Sequence, residues 1–236
     1  MKKVLLLITV LIFSCNKKTI TITEVVGSPE YLSSKIDIKD GPNDNGEFYS
    51  FSFMLDNYEL GVQTQKDFDY NLANSAKGQH IHLIVNNGPY SAKYSPEFEH
   101  ELDEGNNVIL AFLSRSYHES VKNPSAYYLA QVGDGQKLDL TQELLFYSRP
   151  KGAYKAEDTD RVLLDFYLIN TSISADGNKV RATIHGKEFL IDKWVPYYIE
   201  GLPKGEISIK LELIDSEGKL IDSPFNPSVR TFTLEE

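Results

Sequence analysis

The chain has 236 residues and a formal net charge of −10, with 34 acidic residues against 24 basic ones. Because an acidic surface repels phosphate backbones, this balance argues against nucleic-acid binding. Cys15 is the only cysteine, so the sequence predicts no disulfide framework, and apolar cores must supply the stability. The length is sufficient for two domains of about 100 residues each.

The N-terminus has the pattern of a secretory signal peptide. Lys2 and Lys3 precede an apolar run from Val4 to Phe13. This run is too short for a transmembrane helix, which needs about 20 apolar residues, and it has the size of a signal-peptide core. Ile12-Phe13-Ser14-Cys15 follows and resembles the lipobox of bacterial lipoproteins. The resemblance implies a signal peptide over 1–14, cleavage before Cys15 and a diacylglyceryl group on that cysteine.

These features predict where the mature protein resides. Removal of Lys2 and Lys3 with the signal peptide changes the net charge from −10 to −12. Asn16-Lys17-Lys18 lacks the aspartate that retains enteric lipoproteins at the inner membrane, and it lacks the acidic run that marks surface export. We therefore expect a lipidated stalk over 15–24 and an outer-membrane lipoprotein that faces the periplasm. Its acyl chains hold the membrane with about 0.8 kcal/mol per buried CH₂.

Apolar and polar residues alternate along several short segments, which is the pattern of half-buried β-strands. Phe51, Phe53 and Leu55 share one face of the first clear segment, and similar alternation occurs at 81–85 and 109–113. No long amphipathic helix is predicted. Short strands separated by turn residues favour immunoglobulin-like β-sandwiches.

The sequence resembles itself at a spacing of about 100 residues. YSPEF at 94–98 is matched by WVPYY at 194–198, and apolar and glycine positions agree on the C-terminal side. We therefore predict an all-β protein with two tandem immunoglobulin-like β-sandwich domains, the second a duplicate of the first. The predicted bounds are 25–133 for the first, 134–157 for a packed inter-domain segment and 158–236 for the second. The matched positions are Leu102 and Leu202, Gly105 and Gly205, Ile109 and Ile209, and Leu113 and Leu213.

His80 and His82 lie two residues apart at the start of a predicted strand, so both imidazoles share one face. Their counterparts in the second copy are a lysine and an arginine, which makes the pair specific to the first copy. Two imidazoles at this spacing can bind one Zn²⁺ or Cu²⁺ ion if a third ligand lies near. His118 is the predicted third ligand, and His100 is a second candidate. The alternative is a polar surface on an open sheet face.

A cluster of polar residues follows the predicted strand at 109–113. Such loops concentrate binding residues, and an arginine fork fits phosphate or carboxylate. The order Ser-Arg-x-x-His resembles a loop of forkhead-associated phosphopeptide-binding domains, which are also β-sandwiches, with one additional residue before the histidine. We expect a peptide or an anionic ligand, phosphorylated ones included; the alternative is a well-bonded turn. The candidate residues are Arg115, Ser116, Tyr117, His118, Glu119 and Lys122.

Four segments carry a wider resemblance. The chain is similar on these segments to a family of bacterial exported lipoproteins of unsettled function, some of them labelled phosphopeptide-binding. The resemblance implies an envelope location and this architecture, and no specific activity. The segments are NYELGVQT (Asn57 to Thr64), ANSAKGQHIH (Ala73 to His82), LAFLSRSYHESVK (Leu110 to Lys122) and LFYSRPKGAY (Leu145 to Tyr154).

The sequence does not predict an enzyme. Ser116, His118 and Glu119 can be drawn as nucleophile, base and acid, but neither a G-x-S-x-G turn nor a phosphate-cradling glycine loop accompanies them. We therefore expect a non-enzymatic binding module that recognises a peptide or anion through the first sandwich. The alternatives are a Zn²⁺- or Cu²⁺-binding periplasmic protein and a structural component of the envelope.

Overall fold

The computed structural model describes residues 19–236, so Cys15 and the predicted signal peptide lie outside the described residues. This part of the chain folds into sixteen β-strands and one short 3₁₀ helix, Ala156–Thr159. Over the same residues, no helix has the length and apolar character needed to cross a membrane. The predicted all-β class is confirmed.

The strands are labelled in chain order, and the histidine pair lies at the start of the fourth. The first eight are β1 (Thr21–Glu24), β2 (Lys35–Asp44), β3 (Tyr49–Asp56), β4 (His80–Val85), β5 (Ser91–Lys93), β6 (Glu97–His100), β7 (Asn107–Ser114) and β8 (Tyr127–Val132). The remaining eight are β9 (Leu144–Arg149), β10 (Gly152–Tyr154), β11 (Val162–Ile169), β12 (Lys179–Ile184), β13 (Lys187–Ile191), β14 (Tyr197–Glu200), β15 (Gly205–Ile214) and β16 (Ser228–Leu234).

Two β-sandwiches follow one another, as predicted. The first consists of the sheets β2-β3-β6 and β5-β4-β7-β8. The second consists of the sheets β9-β11-β14-β1 and β10-β16-β15-β12-β13. Strand pairing is antiparallel throughout the described residues except between β10 and β16. Each sandwich buries the side chains that its two sheets direct towards each other.

The bounds of the second sandwich differ from the prediction. Thr21–Glu24, predicted as part of the stalk, is β1 and pairs with β14. The predicted inter-domain segment 134–157 contains β9, which pairs with β11. The chain therefore returns to the second sandwich at residue 144 and not at 158. Four alternating residues cannot distinguish an edge strand from a stalk when the pairing strand lies far along the chain.

The two sandwiches share one topology, which supports an internal duplication. The order β2-β3-β6 corresponds to β9-β11-β14, and β5-β4-β7-β8 corresponds to β13-β12-β15-β16. The register repeats as well: His80 lies opposite Ser114, and Lys179 lies opposite Ile214. Only the edge strands β1 and β10 are additional in the second sandwich.

The four sheets of the described residues form four layers, and a hydrophobic core lies in each of the three spaces between them. The first core fills the first sandwich around Phe51 and Ile81, and the second fills the second sandwich around Phe166 and Ile209. The third lies between the sandwiches, where β4 and β7 pack on β9 and β11. Its buried members are Ile84, Tyr90, Val108, Leu110, Phe112, Leu144, Phe146, Tyr167 and Ile169.

The third core determines the surroundings of the histidine pair. On β4, Ile81 and Leu83 point into the first sandwich, while His80 and His82 occupy the other face, as the alternation predicts. That face is not open, because the second sandwich covers it and both histidines have no exposed surface. The expectation of a polar surface on an open sheet face is therefore wrong.

Candidate metal centre

Three of the five histidines meet at the junction of the two sandwiches. His80 and His82 come from β4, and His118 comes from the loop that follows β7. Because β4 pairs with β7 and His80 lies opposite Ser114, this loop begins beside the two strand histidines. Strand alternation and strand pairing thus bring together the three residues that the sequence suggested as metal ligands.

The ring nitrogens of these histidines converge. His80 Nε2 lies 2.9 Å from His82 Nε2 and 3.1 Å from His118 Nδ1. All three ligand atoms lie within 4.8 Å of one another. A tetrahedral ion with metal–nitrogen bonds of about 2.0–2.1 Å separates its ligand nitrogens by about 3.3 Å. The two separations from His80 Nε2 are close to this value, and a small side-chain movement brings the remaining pair to it.

Hydrogen bonds hold the outer nitrogens of the two strand histidines. His80 Nδ1 lies 2.8 Å from the carbonyl oxygen of Gly78; a carbonyl only accepts, so Nδ1 carries the proton and Nε2 keeps its lone pair. His82 Nδ1 lies 3.3 Å from Ser148 Oγ on β9 of the second sandwich. Metal-bound histidines have such outer partners, which fix the ring orientation and the tautomer.

Burial keeps the three imidazoles neutral. Loss of hydration lowers the pKa of His80 from 6.5 to about 4, and it lowers the pKa values of His82 and His118 far below the ordinary value. The positive charges of Arg149 and Lys151 lower all three pKa values further. Neutral imidazole is the form that binds a metal, so protons do not compete for these nitrogens near pH 7.

Only one of the two short nitrogen–nitrogen contacts at His80 Nε2 can be a hydrogen bond between neutral rings. The single lone pair of neutral His80 at Nε2 faces two ring nitrogens, those of His82 and His118. One of them can donate a proton to it, but one lone pair does not serve two donors with good geometry. Burial opposes the uptake of an additional proton, because that proton gives the cluster a positive charge. A central cation accepts all three lone pairs at once.

Two oxygen atoms lie against the cluster. Tyr90 Oη is 3.1 Å from His118 Nδ1, and Ser114 Oγ is 3.0 Å from His82 Nε2. The Tyr90 ring also stacks on His82, with centroids 3.5 Å apart and planes inclined by 9°. This ring covers one side of the cluster, whereas His118 keeps partial contact with solvent. The site therefore combines three nitrogens and two nearby oxygens with one accessible side.

His118 occupies a backbone position that disfavours it. Its φ of 69° lies in the left-handed region, which glycine adopts easily and other residues adopt at a cost. The turn at 215–219 repeats the backbone hydrogen bonds of 115–119, and Gly218, with a φ of 84°, stands at the equivalent place. The duplicate thus uses glycine where the first sandwich uses a histidine. Strain of this kind points to a role for the side chain.

Arg115, predicted to bind an anion, instead pairs with groups of the protein itself. It forms a buried salt bridge with Glu119 at 2.8 Å and donates to two backbone carbonyl groups. Lys122 pairs with Asp165 on β11. These three predicted residues line a cavity of about 460 Å³ beside Trp194, but their charges are already paired. This corrects the prediction of Arg115 and Lys122 as free donors for an anion.

The other predicted loop residues are also committed to internal contacts. The backbone N–H of Ser116 donates to Thr64 Oγ1 at 2.9 Å, and Tyr117 Oη donates to Ser28 Oγ at 2.9 Å. Both residues are buried. Of the predicted loop set, only His118 joins the histidine cluster.

The sequence analysis missed three residues beside the cluster and named one histidine that lies elsewhere. Ser114 directly precedes the predicted loop, so strand pairing could have found it. Tyr90 and Ser148 carry no local signal, because their contacts depend on a turn and on the packing of the second sandwich. His100, the alternative third ligand, lies at the end of β6, with Nδ1 3.4 Å from Lys93 Nζ.

No protein-family model and no curated protein sequence matches the chain. Among solved structures, the fibronectin(III)-like modules of Clostridium thermocellum CbhA align with 85% of this chain and 94% of theirs, at 9% identity and a TM-score of 0.31. The two tandem V-type regions of VCBP3, a v-region-containing chitin binding protein, align with 92% of this chain and 99% of theirs, at 7% identity and a TM-score of 0.24. Likenesses this remote carry no functional argument. The arrangement of two tandem sandwiches itself suits a binding or structural module.

Proposed function

We propose that this protein binds one transition-metal ion, Zn²⁺ or Cu²⁺, through His80, His82 and His118 at the junction of its two sandwiches. The observation that carries the proposal is the convergence of three ring nitrogens, from the buried His80 and His82 and the partly exposed His118, within 4.8 Å of one another. The outer bonds to Gly78 and Ser148 add support, because they leave Nε2 of each strand histidine free to face the centre.

The ligand chemistry limits the choice of ion. Three neutral imidazoles suit Zn²⁺ and Cu²⁺, whereas Mg²⁺ and Ca²⁺ prefer carboxylate and carbonyl oxygens. Among divalent ions of the first transition row, a nitrogen site binds Cu²⁺ most tightly. We therefore expect Cu²⁺ to bind more tightly than Zn²⁺ when both are offered at equal free concentration.

The contacts of Arg115 argue against the peptide- or anion-binding function expected from its loop. Its guanidinium already pairs with Glu119 and donates to backbone carbonyls. A purely structural role in the envelope is the remaining alternative. It predicts that the histidine cluster takes up no metal.

Calorimetric titration of the chelator-treated protein with Zn²⁺ and with Cu²⁺ tests the proposal. One ion per chain is expected, and His80→Gln, which removes the central nitrogen, is expected to abolish the binding heat. His185→Gln is the matched control, because His185 is exposed and lies outside the cluster. Absence of binding by the unaltered protein, or unchanged binding by His80→Gln, contradicts the proposal.

We also propose that the protein works as a lipoprotein anchored through Cys15 to the outer membrane and facing the periplasm. The lipobox-like sequence before this sole cysteine supports the proposal. Replacement of Cys15 by serine is expected to shift the protein from the membrane fraction to the soluble periplasmic fraction. A Cys15→Ser protein that remains with the membranes contradicts the anchor.

A further inference from the structure

Three basic side chains near the junction have no acidic partner. Among the salt bridges of residues 19–236, none involves Arg149, Lys151 or Arg230. The chain carries 34 acidic residues against 24 basic ones, so acidic partners are plentiful. Arg115 and Lys122, by comparison, are both neutralised by carboxylates. Of the two arginines that are buried in the described residues, Arg115 therefore has a carboxylate partner and Arg149 has none.

Arg149 is the most deeply placed of the three. It is 7% exposed, and its Nη1 donates to Tyr154 Oη at 2.8 Å. Its Nε–H has no hydrogen-bond partner. A buried charge without a counter-ion is costly, and a buried donor without an acceptor adds to that cost. An anion beside this guanidinium removes both penalties.

Lys151 and Arg230 each use only part of their hydrogen-bond donors. Lys151 Nζ donates to the carbonyl of Tyr90 at 2.8 Å, and Arg230 donates to the carbonyl of Asn87. These contacts use one of the three ammonium protons and one of the five guanidinium N–H groups. Arg149 and Lys151 both lie over the Tyr90 ring, 5.5 Å and 4.0 Å from its centroid. Burial lowers the pKa of Lys151, and the charges of Arg149 and Arg230 lower it further.

A fourth donor lies in the same group. The Tyr147 hydroxyl is buried and has no hydrogen-bond partner. The Arg230 guanidinium lies 5.2 Å from the Tyr147 ring centroid. Burial raises the pKa of the Tyr147 phenol, and the charges of Arg230 and Arg149 lower it. Two buried donors without acceptors thus occur beside three cations without counter-ions.

We propose that Arg149, Lys151 and Arg230 form a binding site for a small oxyanion of the phosphate class. Guanidinium groups present paired N–H donors that match the oxygens of such an anion, and the ammonium group adds a point charge. Arg149 is buried, while Lys151 and Arg230 are partly exposed and accessible from solvent. The site is distinct from the histidine cluster and needs no metal. The anion neutralises the repulsion that the three cations otherwise impose.

Calorimetric titration of the chelator-treated, metal-free protein with inorganic phosphate at low ionic strength tests the site. Saturable binding of one anion per chain is expected. Lys151→Met and Arg230→Gln are each expected to weaken it by about tenfold or more, the effect of losing one charged hydrogen-bond donor. Circular dichroism verifies that each variant is folded, and Arg149 is left intact because its burial makes substitution disruptive.

Lys155→Met is the matched control. Lys155 lies four residues beyond Lys151 and pairs with Glu235 on the exposed surface, so its loss changes the net charge equally without touching the site. Unchanged phosphate affinity in this variant supports a specific site. Absence of saturable binding by the unaltered protein overturns the proposal, as does an equal loss in all three variants. Because no metal is present, either outcome leaves the metal titration to be judged separately.

Discussion

At the scale of single residues, His118 marks a difference between two equivalent turns of the two sandwiches. The backbone of the turn after β7 requires a left-handed residue, and the second sandwich meets the requirement with Gly218. A side chain in that conformation costs about 1–2 kcal/mol relative to glycine. The first sandwich bears this cost and gains a ring nitrogen that points at His80. The proposed metal site gives a reason for this exchange.

Comparison of His118→Gly with His118→Ala separates backbone strain from side-chain function. Both variants lose the imidazole, so both are expected to lose the metal. Only glycine relieves the strain, so His118→Gly is expected to be more stable than His118→Ala by about 1 kcal/mol. Urea denaturation measures the difference, and calorimetry with Cu²⁺ measures binding. Equal stability of the two variants contradicts the strain, and full metal affinity in either contradicts the ligand role.

The buried histidines also predict how stability depends on pH. An unfolded histidine takes up a proton near pH 6.5, whereas folded His80 resists protonation down to about pH 4. The unfolded state therefore binds more protons between these values, and the free energy of unfolding falls as the pH falls. For His80 the loss over the whole window is roughly 3 kcal/mol.

Urea denaturation of the metal-free protein between pH 7 and pH 5 measures this dependence above the range in which most carboxylates titrate. His80→Gln removes one contributor, so its stability is expected to change less over the same interval. His82, His118 and His100, whose pKa values burial also lowers, contribute to the remaining slope. Identical slopes in the two proteins contradict the assignment.

At the scale of elements, comparison of β4 with β12 shows which features of a strand the sequence predicts. The alternation correctly separates the inward face of β4, with Ile81 and Leu83, from the histidine face. In β12 the corresponding outer face is partly exposed, and Arg181 pairs there with Glu212. Two strands with the same pattern thus face different surroundings. The periodicity of a strand identifies its faces but does not show what covers them.

The errors of the sequence analysis have the same physical origin. The sequence predicts a free donor at Arg115 because the acceptor at Pro29 comes from a distant part of the chain. It predicts a stalk at Thr21–Glu24 because the pairing strand, β14, lies far along the chain. The histidine cluster, by contrast, was within reach of sequence analysis, since β4 and the loop after β7 belong to neighbouring strands of one sheet.

β9 contributes to the histidine site from the second sandwich, and this contribution can be measured. Ser148 Oγ is the partner of His82 Nδ1, so Ser148→Ala frees the ring and leaves a buried nitrogen without a partner. Loss of such an outer partner lowers metal affinity by about 10–100-fold. Ser208→Ala on β15 is the control, because Ser208 is exposed. Unchanged metal affinity in Ser148→Ala means that the second sandwich only covers the site.

At the scale of the whole molecule, the chain path and the interface make the two sandwiches one unit. The described chain begins with β1 in the second sandwich, continues through all of the first and then returns. The outer faces of β4 and β7 are covered by β9 and β11, with large side chains such as Phe112, Phe146 and Tyr167 fully buried between them. Separation of the sandwiches exposes this apolar surface to water, which strongly opposes independent domains.

We therefore expect a single cooperative unfolding transition. Trp194, the sole tryptophan, packs edge-on against Tyr167 in the interface, with centroids 5.2 Å apart, so its fluorescence reports on the contact between the sandwiches. Far-ultraviolet circular dichroism reports on the strands of both. The two signals are expected to change together in urea, and an early loss of the tryptophan signal shows that the sandwiches separate first.

Phe112→Ala tests the interface directly, because this side chain of the first sandwich stacks on Tyr167 of the second with centroids 4.7 Å apart. A large-to-small change at a fully buried aromatic costs about 3–5 kcal/mol. If the sandwiches form one unit, the midpoints of both signals shift by the same amount. Leu190→Ala is the control, since Leu190 is 59% exposed and its replacement is expected to change stability by less than about 0.5 kcal/mol. A shift confined to one signal shows instead that each sandwich folds alone and that the histidine site forms only when the two dock.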